Sequence, residues 1–271
     1  MFTLTSKVAL VTGAGRGIGR AIALQLSAAG AAVMINDLDP VPLAETLALL
    51  PPNCAQRAGD VTDAAFPQKL VDQTVAQLGG LDIIVNNAGY TWDSVIQKTT
   101  DEQFQAMLDI HAVAPFRILR AASGFIRETA KREAAEGRRV SRKVVNITSV
   151  AATDGGAGQA GYSSGKSAVM GLTRTMAKEW GRYNVNVNAV GFGLIGTRLT
   201  QAWTEDSKIE VKGREIKAGV RQEVLDQVIA ASPLGRVGTV EEAAGAVLFL
   251  CSPLSDFVTG EILMCTGGLR S

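Results

Sequence analysis

The run VTGAGRGIGRAIALQLSAAG, residues 11 to 30, joins a short apolar strand pattern to a helical one through a turn rich in glycine. Ile18, Ile22 and Leu26 fall on one stripe after the turn, so the second half reads as a helix with one apolar face. Glycines let a backbone turn sharply and approach a pyrophosphate. The free N–H groups and the positive end of the helix dipole then stabilise its charge. The turn reads as a dinucleotide site. Its pattern is Gly13, three residues, Gly17, one residue, Gly19, with Ile18 where a literal GxGxxG would need glycine.

Outward from this turn, further apolar, β-branched runs alternate with helical patterns. They are KVALVTG from 7, AVMIND from 32, IIVNNAG from 83, KVVNITSV from 143, NVNVNAV from 184 and EILMCTGG from 261, with a weaker run, AQRAGDV, from 55. Strands apolar throughout and separated by helices predict a parallel sheet covered on both faces. The fold class is therefore α/β, a doubly wound Rossmann-type sheet, and residues 1 to 271 read as a single catalytic domain. Residues 198 to 236 carry 13 charged residues in 39 and show no strand pattern, which predicts a helical substrate lid above the sheet.

Composition narrows the function. A net charge of +1 gives no field for nucleic acid, and no apolar run is long enough to span a membrane. The amino terminus lacks the three regions of a secretory signal, so the expected location is cytoplasmic. Three scattered cysteines and one histidine match no zinc pattern, and no metal site is expected. Residues 131 to 143, KREAAEGRRVSRK, hold six basic and two acidic side chains. They read either as a solvated helix end or as a patch for an acidic carrier protein or the phosphates of coenzyme A.

Asp37 ends the second strand pattern 18 residues after Gly19, where a carboxylate accepts hydrogen bonds from the adenosine ribose and repels a 2′-phosphate. Leu38 behind it supplies no cation, although Arg16 in the turn could, so NAD is expected over NADP. Tyr162 and Lys166, four apart in a helical run, share one face. A phenol beside an ammonium should have a depressed pKa and act as a general acid or base.

The chain resembles the one-domain short-chain dehydrogenase/reductase family, especially its 3-oxoacyl carrier-protein reductase-like members. The motifs that carry this are TGAGRGIG at 12, GDV at 59, NNAG at 86, NITS at 146, YSSGK at 162, GFGLIGT at 191 and TGG at 266. The resemblance implies an NAD(H)-dependent oxidoreductase interconverting a secondary alcohol and a ketone, with 3-oxoacyl and 3-hydroxyacyl thioesters among the candidates. Tyr162 would be the acid/base, Lys166 would lower its pKa and hold the nicotinamide ribose, and Ser149 would hydrogen-bond the substrate carbonyl. Along the cofactor it implies Gly13, Arg16, Gly17, Ile18 and Gly19, Asp60 and Val61 at the adenine, Asn87, Ala88 and Gly89, and Ile195 and Thr197 near the carboxamide. Nucleotide-sugar epimerases and dehydratases also use YxxxK, and a non-catalytic dinucleotide-binding protein is a third reading.

Two departures stand out. Phe192-Gly193 replaces the family's usual Pro-Gly, and an apolar ring there would narrow the pocket. His111, the only histidine, takes the place of the family's fourth catalytic residue, an asparagine. The family uses that residue's main-chain oxygen to hold a water in a proton relay. Pro115, four residues later, lacks an N–H and should free the His111 carbonyl, though the imidazole could itself shuttle protons. The pocket walls are expected from Tyr90, Trp92, Ala151, Gln159, Phe192 and Trp203. Helical runs at 104 to 126 and 163 to 180 are apolar on more than one face, which predicts a homotetramer.

Overall fold

In a computed structural model, describing residues 3–204 and 207–269, seven strands form one parallel sheet. The strands are β1 (Val8–Thr12), β2 (Ala32–Asp37), β3 (Ala55–Ala58), β4 (Ile83–Asn86), β5 (Arg142–Ser149), β6 (Val185–Phe192) and, last in the chain, β9 (Ile262–Cys265). Their spatial order is β3-β2-β1-β4-β5-β6-β9, so the winding reverses between β1 and β4. Outside the carboxyl ends of strands at such a reversal lies the crevice where open α/β sheets hold ligands.

The apolar strands bury both faces. Val11, Ile35, Val85 and Val145 pack with Ile22 and Leu26 of α1 (Gly17–Ala28), Leu43 of α2 (Pro40–Ala48) and Val247 of α8 (Val240–Cys251). Their neighbours Leu10, Met34, Ile84 and Val144 point the other way. They meet Leu70 of α3 (Phe66–Leu78), Met107 of α4 (Asp101–Leu108), Ile118 of α5 (Ala114–Ala135) and Trp180 of α6 (Ala160–Trp180). This two-sided burial is why the strands read as continuous apolar runs.

Between α4 and α5 the helical ladder breaks. Asp109–Val113 form a single wide π turn, in which the Ala114 N–H returns to the Asp109 carbonyl, and Pro115 stands in the first turn of α5. Proline cannot donate to the preceding turn, which accounts for the interruption.

The excursion after β6 corrects the sequence reading of an all-helical lid. It contains an antiparallel hairpin, β7 (Lys208–Val211) and β8 (Arg214–Lys217), followed by a helix, α7 (Gln222–Ala231). Lys212 (φ 53°) and Gly213 (φ 74°) form the two-residue turn, the geometry that matches strand twist in hairpins. Only Ile209 and Ile216 are buried within the two strands, and the polar–apolar alternation of Lys208–Val211 and Glu215–Lys217 is only three or four residues long on each side of the turn.

Candidate active site

The phosphate turn is braced from three sides. Gly13 and Gly17 adopt positive φ (63° and 52°), and a Cβ at Gly19 would lie 2.0 Å from the Gly13 carbonyl oxygen. Asn87 Nδ2 donates to the carbonyls of Thr12 and Gly13, each at 3.0 Å, while Thr12 Oγ1 accepts from the Asn87 and Ala88 N–H groups at 3.1 Å. Asn87 thus ties β4 to the turn. Arg20, which no sequence motif singles out, donates from Nη2 to the Gly15 carbonyl at 2.6 Å and from Nε to Thr46 Oγ1 at 2.9 Å. No side chain caps the start of α1 at Arg16, so the first-turn N–H groups face the crevice as an anion site requires. These features fit a dinucleotide pyrophosphate.

At the end of β2, Asp37 Oδ2 accepts the Gly15 N–H at 2.9 Å and Oδ1 accepts the Asp39 N–H at 3.2 Å. Arg16 is held by Asp39 at 2.6 Å. Arg16, the turn cation that could meet a 2′-phosphate, is therefore already paired, and Arg198, which also lines the cleft, feels the charges of both Asp37 and Asp39. Asp60 follows β3. Burial alone would raise its carboxyl, but hydrogen bonds from Lys212 and Thr62 outweigh that and hold it below its ordinary value. Val61 beside it is buried. The loop after β6 crosses the turn, with Thr197 Cγ2 3.6 Å from where a Gly17 Cβ would stand and Ile195 buried in the core below.

A cleft of about 1100 Å³ runs from this turn to the end of β5. Gly13, Arg16, Gly17, Ile18, Gly19, Asp37, Asp60, Val61, Asn87, Ala88, Gly89, Ile195 and Thr197 line it together with Ser149, Tyr162, Lys166 and His111. The candidate catalytic and cofactor-binding residues are thus gathered on one surface. Ser149 ends β5 and its Oγ lies within hydrogen-bond reach of the Tyr162 phenol, which enters from the first turn of α6. Lys166, one turn later, is buried; its Nζ donates to the Ile147 carbonyl at 2.8 Å and lies 5.8 Å from the Tyr162 ring centroid.

This geometry corrects the expectation of a depressed phenol. Burial pushes Tyr162 up to about 12 against the opposing Ser149 hydrogen bond, and burial brings Lys166 down to about 7. Lys166 is buried and Tyr162 half-buried on the cleft wall, and the ammonium donates to the Ile147 carbonyl, which leaves desolvation as the main influence on each group.

His111 lies behind the pair. Its ring stands edge-on to Tyr162, with centroids 5.0 Å apart, and its Nε2 meets the Tyr90 carbonyl at 2.8 Å. Its Nδ1 is buried without a partner, and burial, with the Lys166 charge adding to it, holds the imidazole well below its ordinary pKa. A Cβ on Gly89 would lie 2.6 Å from the ring, so glycine there admits it.

Tyr90, Ala151, Gln159 and Phe192 line the cleft as expected. Phe192 is 6% exposed and belongs to the core on the α1 side, so it does not constrict the pocket. Trp92 and Trp203 are not walls; they carry Arg214 and Lys217 of the hairpin on their faces, at 5.5 and 5.6 Å. Within the basic stretch 131 to 143, Arg142 pairs with Glu133 at 2.7 Å, Lys143 with Asp256 at 2.7 Å and Arg138 with Glu136 at 2.5 Å, while Lys131, Arg132, Arg138 and Arg139 lie exposed on the surface.

Residues 13–270 match the family model described as enoyl-(acyl carrier protein) reductase. The chain is 35% identical over 98% of both chains to the 3-oxoacyl-[acyl-carrier-protein] reductase FabG of Vibrio cholerae. It is 34% identical to the (3R)-3-hydroxyacyl-CoA dehydrogenase of Canis lupus familiaris, covering 98% of this chain and 97% of that one. A solved Sinorhizobium meliloti 1021 structure of short-chain alcohol dehydrogenase type superposes with a TM-score of 0.84 at 30% identity, covering 98% and 97% of the two chains.

Proposed function

The chain belongs to the short-chain dehydrogenase/reductase family, oxidoreductases that act on CH–OH groups with a nicotinamide dinucleotide, and from this premise we propose NAD(H)-dependent interconversion of a 3-oxoacyl and a 3-hydroxyacyl thioester. The observation that carries the proposal is the convergence of Ser149, Tyr162 and Lys166 in one cleft with the braced phosphate turn. An epimerase or a purely binding protein gains no support from the relatives, whose printed names are reductases and dehydrogenases.

The dinucleotide, when bound, supplies or takes the hydride. Gly13, Gly17 and Gly19 would admit its pyrophosphate, Asp37 its adenosine ribose, and Lys166 its nicotinamide ribose. Ser149 Oγ and the Tyr162 hydroxyl would hydrogen-bond the substrate oxygen. In reduction the Tyr162 phenol would give its proton to that oxygen, and the phenolate would regain a proton past Lys166. A phenol held at about 12 stays protonated at neutral pH, the form that reduction needs. The buried, neutral imidazole is poorly suited to shuttling protons, so His111 would contribute its main-chain oxygen and hold the Tyr162 ring.

The pairing of Arg16 with Asp39 supports NAD over NADP. The names of the relatives support an acyl group on a carrier protein or coenzyme A as substrate. Exposed Phe104 and Phe116 on α4 and α5, and Leu254 and Phe257 near β9, support a homotetramer. Among the described residues no helix is long and apolar enough to cross a membrane, which accords with the proposed cytoplasmic location. The whole chain would act as one catalytic unit, with residues 198 to 236 as its lid. The test is absorbance at the nicotinamide band with NADH and 3-oxoacyl thioesters, set against simple ketones and sugars. Turnover of ketones or sugars but not thioesters would move the substrate class. Absence of any turnover would remove the enzymatic reading.

A further inference from the structure

The β7–β8 hairpin does more than cover the substrate end of the cleft. Its strands are anchored by a small apolar cluster in which Ile209, Ile216 and Ala218 pack with Tyr90, Trp92, Leu199 and Val211. Arg214, at the start of β8, pairs with Glu102 of α4 and lies over the Trp92 ring. From this anchorage the turn projects along the cleft to the segment after β3. There Lys212 Nζ lies 2.5 Å from Asp60 Oδ2 and donates to Thr62 Oγ1 at 2.7 Å. The other Asp60 oxygen is committed to its own turn, accepting the Thr62 N–H at 2.8 Å and the Thr62 hydroxyl at 2.7 Å. Lys208, Ile209, Glu210, Val211, Lys212 and Arg214 all line the same cleft as the phosphate turn.

Asp60 and Val61 lie at the adenine end on the reading proposed above, and this inference rests on that reading. We propose that Lys212 is a cofactor-retention residue. The hairpin tip latches onto Asp60 and Thr62, closes the adenosine end of the cleft from above, and must let go before a dinucleotide leaves. One insertion then serves both ends of the ligand, its base walling the substrate pocket and its tip the adenosine pocket. The latch is an exposed ion pair, with Lys212 45% and Asp60 23% exposed, so its contribution is modest and sensitive to salt.

The turn offers a clean variant. Lys212 sits at φ 53° before Gly213, and Asn-Gly is the pair most favoured in such turns, so Lys212→Asn keeps the hairpin while removing the ammonium's reach. The experiment loads the enzyme with NADH, and in a parallel arm NADPH, and follows loss of bound-cofactor fluorescence by stopped flow on mixing with excess ADP-ribose. At about 50 mM NaCl the dissociation rate should rise about fivefold in Lys212→Asn, and at about 500 mM the two proteins should converge. The thermal transition should be unchanged. Equal rates at low salt, or slower release from the variant because lysine competes with adenine for Asp60, would overturn the latch while leaving the dinucleotide site intact. Failure of the wild-type protein to bind either cofactor would overturn both.

Discussion

The His111 ring stands edge-on to the Tyr162 ring, 5.0 Å between centroids at an interplanar angle of 87°. With Nε2 on the Tyr90 carbonyl, the imidazole is a wedge between the strand-end loop and the phenol. Because the chain has one histidine, its titration can be read without assignment. The ring should stay neutral throughout the range where a free imidazole of pKa about 6.5 would ionise. Proton NMR should show one histidine Cε1–H signal that does not move between about pH 8 and pH 6. A signal that titrates in that interval would restore the imidazole as a proton shuttle. His111→Asn should keep most of kcat and Pro115→Ala, which can re-form the helical hydrogen bond, should lower it.

The same burial has a consequence for stability. Unfolding releases His111 to its ordinary pKa, so below about pH 6.5 the unfolded chain binds a proton that the folded one refuses, and stability falls with acid. Lys166 acts in a higher window. Its folded pKa of about 7 lies below the unfolded value, so the unfolded state carries more protons between pH 7 and about 10.4, and stability rises with pH across that interval. Thermal melts of the wild-type protein should shift upward from pH 7 to pH 9, and Lys166→Met should flatten the shift. A wild-type transition that falls over this range would contradict the buried ammonium.

Tyr162→Phe removes the hydroxyl and leaves the edge-on ring contact in place. Turnover should fall by about 10²- to 10⁴-fold, the usual scale of a lost general acid, with cofactor affinity little changed. A variant within tenfold of wild type would show that another group protonates the substrate.

What the sequence made legible follows from period and spacing. The turn at Gly13 to Gly19, the apolar strands and the Tyr162–Lys166 pair are local patterns, and local geometry places each of them. The contacts that brace or cover the site are different in kind. Arg20 reads as an ordinary helix-surface cation, yet it reaches the Gly15 carbonyl and Thr46, 26 residues away. Lys212 meets Asp60 and Thr62 across 150 residues, at the tip of a hairpin whose strands are only four residues long. Trp92 and Trp203 look like pocket walls by residue type, and only the folded hairpin shows that cations already cover them. Long-range pairing of polar groups leaves no periodic trace.

The stretch at 131 to 143 gives a test of charge spent within the fold. Arg142 and Glu133 are both buried and joined by two hydrogen bonds at 2.7 and 2.8 Å, so Glu133 is held below the ordinary carboxylate range, chiefly by Arg142. Removing one member of such a pair leaves a buried charge uncompensated. Glu133→Ala should destabilise the protein by about 3 to 5 kcal/mol in chemical denaturation. Arg139→Glu, on the exposed side, should change stability by about 0.5 kcal/mol or less. If Arg139→Glu also leaves KM for carrier-bound and small acyl substrates unchanged, the stretch serves the fold and not a partner.

On the proposed reading, cofactor choice rests on Asp37 and on the pairing of its neighbours. Asp37 takes the Gly15 and Asp39 N–H groups with its two oxygens, and Asp39 holds Arg16 at 2.6 Å. Asp37 and Asp39 face two cations, Arg16, which Asp39 engages, and Arg198, whose charge both carboxylates offset, so wild-type kcat/KM should be higher with NADH than with NADPH. Asp37→Asn keeps an acceptor for Gly15 while removing charge, and should improve NADPH binding by about tenfold, or about 1.4 kcal/mol. Adding Asp39→Asn releases Arg16, whose guanidinium can then pair with the phosphate, and should improve NADPH binding by about a further tenfold. NADH binding should weaken less, since asparagine still offers the ribose an acceptor. If instead the wild-type protein prefers NADPH and Asp39→Asn alone leaves that preference unchanged, Arg16 is not the deciding cation and Asp37 does not exclude the phosphate.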